Sequence, residues 1–116
     1  MIVTEEQGDR LKVHVYGELT LADYRELEKA VTGGLKTVPK VRLLLDFAKM
    51  SGFTVDVAWE DIRFTRAHAH DFRRIAVVTD NRWLSWVGWL SAAFTDAEVE
   101  IFEAMADAEA WLTETA

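Results

Sequence analysis

Val41-Arg42-Leu43-Leu44-Leu45-Asp46 is the stretch on which the fold turns. It is mostly apolar on both of its alternating faces, which suits a central strand covered by helices on each side. Ile75-Ala76-Val77-Val78-Thr79 has the same character and reads as a second buried strand. Between them, Phe47 to Thr54 reads as a loop containing Ser51-Gly52. A helix capped by Asp56 then runs to about Ala69, with Val57, Trp59, Ile62 and Phe64 as its apolar members.

Working outward, Ile2 to Glu6 and Arg10 to Tyr16 form two strands joined by a turn at Gln7-Gly8-Asp9. In the second, Leu11, Val13 and Val15 alternate with Lys12, His14 and Tyr16. Thr20 with Asp23 three residues on resembles a capping arrangement. The helix that follows carries Leu21, Tyr24, Leu27 and Val31 and ends at Gly33-Gly34. Asp80-Asn81 begins another helix, Val99 to Phe102 is a short strand, and Ala104 to Leu112 a terminal helix. Repeated strand-helix units with short links predict right-handed crossovers. The expected fold is α/β, a single domain over residues 1–116. Its sheet is mixed and mostly parallel, of about five strands with about four helices and an antiparallel hairpin at the start.

Composition narrows the function classes. The net charge of −7 argues against non-specific binding to nucleic acid or anionic lipid, both of which reward Lys and Arg. With no cysteine there is no disulfide, thiol catalysis or Cys-based metal site. Met1 to Glu6 has neither a basic start nor an apolar stretch of signal-peptide length. The apolar run at 83–94 falls short of the roughly 20 residues a spanning helix needs. The expectation is a soluble, cytoplasmic protein with no stable membrane insertion.

That apolar run is the strongest functional signal. In Asn81-Arg82-Trp83-Leu84-Ser85-Trp86-Val87-Gly88-Trp89-Leu90-Ser91-Ala92-Ala93-Phe94, the three indoles fan around one helix while Leu84, Val87, Leu90 and Phe94 fill other apolar positions. One supporting sheet hides one stripe, so a second apolar face must be buried against another subunit, a ligand or a membrane surface. Gly88 costs about 1 kcal/mol relative to Ala inside a helix, which close approach by another element would offset. Trp83, Trp86, Trp89 and Leu90, with Arg82 and with Phe64 of the preceding helix, are therefore the candidate ligand- or partner-binding residues. Trp59 and Trp111 are expected in the core.

The element order, Asp46 closing the central strand, the Phe47 to Phe53 loop and the strand-Asp80-Asn81-Trp83 junction together resemble the SpoIIAA-like family, which is grouped with STAS domains and the lipid-binding CRAL-TRIO fold. The resemblance covers nearly the whole chain. It implies a small sheet-and-helix domain, often paired, that binds an apolar ligand or a regulatory protein. Regulatory STAS members are phosphorylated on a serine in an Asp-Ser-x-Gly-like turn after the central strand. The matching region here reads Asp46-Phe47-Ala48-Lys49-Met50-Ser51-Gly52-Phe53, which makes Ser51 the candidate phosphorylation site, although no Asp directly precedes it. A homodimer, an apolar or amphiphilic small molecule and a regulatory protein are the expected partners.

Other constellations read more simply. His68 and His70 point about 200° apart on a helix and cannot share a metal there. Asp46, Asp56, Glu60 and Asp61 could gather at the carboxyl edge of the sheet, where open α/β sheets bind ligands. Helix capping and solvated faces nevertheless account for most of them. Arg63, Arg66, Arg73, Arg74 and Arg82 form a basic cluster in sequence that could hold an anionic head group beside the indoles, but charge balance against the 20 acidic residues is the simpler reading. No Ser-His-Asp order, P-loop or GxGxxG is present. The expectation is a binding domain, not an enzyme, with no cofactor and no metal.

Overall fold

The structure is a computed structural model that describes residues 1–80 and 96–114. Five strands form one sheet in the order β1-β2-β3-β4-β5: β1 (Ile2–Gln7), β2 (Arg10–Leu19), β3 (Val41–Phe53), β4 (Phe72–Val78) and β5 (Glu98–Phe102). The β1–β2 pair is antiparallel and the other three pairs are parallel. The described helices are α1 (Leu21–Gly34), α2 (Val55–Ala67) and α3 (Met105–Thr113). The tryptophan helix, expected as a fourth, falls outside the described residues.

Local chemistry explains the joints. Gly8 takes φ +62 at the first of two hairpin turn residues, a conformation side chains resist, and the Gln7–Arg10 pair closes the ladder behind it. Thr20 and Asp23 make the reciprocal capping box that starts α1: the Asp23 N–H donates to Thr20 Oγ1 and the Thr20 N–H to Asp23 Oδ2, both at 3.3 Å. The cap of α2 differs from expectation. Thr54 is the N-cap, and Asp56 lies in the first turn, where its Oδ1 accepts the Val57 N–H at 3.0 Å.

The expected loop at Phe47 to Thr54 is a continuation of β3. Two bulges carry it. Phe47 and Ala48 together oppose Val15, and Ser51 has no counterpart between the Gly17–Met50 and Glu18–Gly52 pairs. The bulges bring Phe47, Met50 and Phe53, spaced by three, onto the same face of the sheet, where all three border one cavity.

That face packs against α1 and α2. Leu11, Val13, Val15, Leu43, Ile75 and Val77 from the sheet meet Tyr24, Leu27 and Val31 of α1 and Val57 and Phe64 of α2. On the opposite face a smaller cluster, Leu44, Ala76 and Val78, lies beneath Ala108 and Leu112 of α3. No helix among the described residues is long and apolar enough to cross a membrane.

Candidate functional site

The inner face of α2 is set by Val57, Asp61, Phe64 and Thr65, which recur at helical spacing and turn toward the sheet. Between them and the strands lies a cavity of about 60 Å³. Its floor includes Leu43, Leu45 and Val77, and Phe47 and Met50 from the bulged half of β3 close one side. The walls are mainly apolar, with Thr65 on α2 and one polar pair between α1 and α2. In that pair the Tyr24 hydroxyl donates to Asp61 Oδ1 at 2.5 Å. Burial, reinforced by the Asp61 charge, pushes the Tyr24 phenol well above its ordinary range, so it remains a donor.

A second polar seam links α1 and α2 nearby. Burial and the neighbouring Glu60 carboxylate raise the Glu28 pKa. Arg63 holds Glu60 in an i,i+3 ion pair on the outer side.

Phe64, one of the candidate binding residues, lies on the inner face of α2. Its ring is buried, lines the cavity, and meets Tyr24 edge to face at 6.1 Å and 89°. Ser51 is exposed at the second bulge of β3, within the strand and ahead of the α2 cap. Trp83, Trp86, Trp89, Leu90 and Arg82 lie outside the described residues.

Two expectations change, the core positions of Trp59 and of Trp111. Trp59 is not in the core: it is 70% exposed, because Val57 and Phe64 define the inner face and Trp59 falls on the opposite side of the helix. Trp111 is half-buried, its ring 5.6 Å from Phe102. Two of the arginines lie apart. Arg73 and Arg74 alternate to opposite sides of β4, as neighbours in a strand must. Arg74 is buried on the α3 face, its guanidinium 4.7 Å over the Trp111 ring, with Nη1 donating to the Trp111 carbonyl at 2.6 Å. The carboxylates also part. Asp46 faces away from the cavity, with Oδ2 2.8 Å from His14 Nδ1 and Oδ1 accepting the Ala48 N–H at 3.1 Å.

On that same outer face His14 bridges two acids, its Nε2 lying 3.2 Å from Glu5 Oε2. The imidazole can donate to both only when doubly protonated. The Asp46 hydrogen bond raises its pKa against the opposing effect of burial. His68 and His70 pair with Asp71 and Asp96, each at 2.7 Å. Among the described residues no group of three or more His, Asp or Glu side chains is placed to hold a metal.

Sequence reasoning missed the outer stripe of α2. The signal was present: Val55, Trp59 and Ile62 keep a helical spacing out of phase with Val57 and Phe64, so the helix carries two apolar stripes.

The fold has counterparts among solved structures. An uncharacterised DUF3478-family protein of SpoIIAA-like fold from Shewanella loihica PV-4 is 27% identical, with a TM-score of 0.76 over 97% of this chain and 92% of that one. An anti-sigma factor antagonist from Mycobacterium paratuberculosis shares the fold at 15% identity, with a TM-score of 0.66 over 98% of this chain and 94% of that one. The anti-sigma factor antagonist SpoIIAA in its unphosphorylated form does so at 14% identity, with a TM-score of 0.61 over 96% and 94%. No curated protein matches by sequence. The sequence pattern of the SpoIIAA-like family matches residues 10–113, and the chain belongs to that family.

Proposed function

We propose that this protein is a non-enzymatic binding domain that takes the apolar end of an amphiphilic small molecule beneath α2, with residues of the 81–94 stretch as its further contacts. The observation that carries this reading is the apolar cavity of about 60 Å³ between α2 and the sheet. Its size limits the ligand. An apolar cavity of about 150 Å³ holds benzene, so this one admits a smaller group, an alkyl end of a few carbons. The rest of the ligand then extends beyond the cavity, and Trp83, Trp86, Trp89, Leu90 and Arg82 are the residues proposed to contact it. A second copy of the chain and a regulatory protein are the macromolecular partners that fit the same reading.

Titration with a short fluorescent fatty acid tests it. Wild-type protein is expected to bind and enhance the fluorescence. Val57→Phe or Ala58→Leu, which fill the cavity from α2, are expected to weaken binding about tenfold or more while the fold survives. Trp86→Ala and Trp89→Ala weaken it through the outer contacts. Binding unchanged in all four variants would refute the cavity as the site.

One observation favours a regulatory reading beside it. Ser51 is exposed in a strand bulge, and phosphate there would add about −1.5 to −2 charge next to α2. Intact mass of the protein recovered from cells is expected to show a phosphorylated fraction that Ser51→Ala abolishes.

A further inference from the structure

The outer face of α2 is apolar, exposed and complementary to itself. Val55 is 75% and Trp59 70% exposed, and the half-buried Ile62 continues their stripe. At about 100° per residue, Val55 and Ile62 both fall on one side of Trp59, and Asp56 and Arg63 both fall on the other. Asp56 is exposed, and the Arg63 side chain is 73% exposed while it reaches Glu60.

We infer that two copies of this chain pair through α2, antiparallel about a two-fold axis that crosses the helix at Trp59. This rests on the self-association in the proposed function and assigns it to the outer face of α2, away from the cavity. The register follows from the residues alone. Reversing the helix about Trp59 brings its indole against Trp59 of the second copy. It sets Val55 at the level of Ile62 of the second copy on one side, and Asp56 at the level of Arg63 of the second copy on the other. Each copy thus supplies an acid and a base at the two ends of an apolar centre, the condition for an isologous contact. No shift of register along α2 keeps the apolar and the charged pairs together, because the midpoints of 55 with 62 and of 56 with 63 both fall within a residue of 59.

The area sets the strength. A fully buried Trp hides about 150–250 Å². Two indoles with their aliphatic neighbours therefore fall short of the roughly 1,200 Å² of a stable specific interface. The expected dimer dissociates on dilution.

Native mass spectrometry and light scattering over a dilution series test this. Wild-type protein is expected to approach twice its 13.2 kDa mass at high concentration and to fall to one copy on dilution. Trp59→Ser, a change at an exposed site, is expected to weaken pairing about tenfold or more. Asp56→Arg and Arg63→Asp should each fail to pair with themselves yet pair when mixed, because the mixture restores both charge contacts. A wild-type protein that stays single at every concentration would overturn the inference. So would a dimer indifferent to Trp59→Ser, which would place the seam on another surface. So would single charge variants that remain folded but do not pair on mixing. The same spectra report retained small molecules as added mass on each copy, so an empty cavity and an absent dimer are told apart.

Discussion

The two faces of the sheet are built on different principles. Beneath α1 and α2 the strands present an apolar surface, and contact there is non-directional, so the layer tolerates a void. Beneath α3 the apolar patch is small and ringed by directed polar contacts. Lys12 pairs with Glu109 at 2.5 Å, and Arg42 Nη1 donates to the carbonyls of Leu112 and Glu114 at 2.7 Å. Arg74 fixes the end of α3 through the Trp111 carbonyl, and His14 joins β1, β2 and β3 through Glu5 and Asp46. A layer pinned by directed bonds has little freedom to open. The layer held by burial is the one that can admit a guest.

The comparison fails or sharpens first on core deletions. Leu44 is fully buried under α3, whereas Leu43, its neighbour in β3, borders the cavity under α2. Leu44→Ala is expected to cost about 4 kcal/mol, near the upper part of the range for such changes, because α3 is held by its polar contacts and cannot settle into the gap. Leu43→Ala is expected to cost about 2 kcal/mol, because α2 can move inward. Denaturant unfolding measures both, and equal losses would erase the distinction between the layers.

A smaller effect tests the polar side alone. The pKa of His14 is raised by its carboxylate partners, so its charged form is favoured in the folded chain. The resulting stability is complete below the unfolded value of about 6.5 and is lost as pH rises through the higher folded value. Unfolding of wild type should therefore become easier from about pH 6 upward. His14→Gln should flatten that slope without changing ligand uptake, since His14 lies on the face away from the cavity. A slope that His14→Gln leaves intact would assign the pH dependence elsewhere, Glu28 first, because its raised pKa acts in the same direction.

Much of this architecture was legible in the residues. The doubly apolar strands at 41–46 and 75–79 and the alternation at 10–16 gave the sheet, and Thr20 with Asp23 gave the start of α1. What escaped was β3 beyond Asp46. Phe47, Met50 and Phe53 recur every third residue, which matches no strand period, and only the two bulges turn that spacing into one face. Trp59 escaped for the opposite reason. Its size suggested burial, but the phase of α2 is decided by Val57 and Phe64, and bulk cannot override a helix's rotation. The inward position of Phe64 was readable because it shares that phase. The cavity was not, since a void is a property of how side chains from six segments fail to meet.

The central claim is that the layer under α2 holds the apolar end of a small molecule. Native mass spectrometry of the protein purified from its own host tests it most directly. The expected result is a discrete added mass that persists under gentle ionisation, disappears on denaturation and is absent from Val57→Phe. A bare polypeptide mass for wild type under the gentlest conditions, whether single or paired, would contradict it.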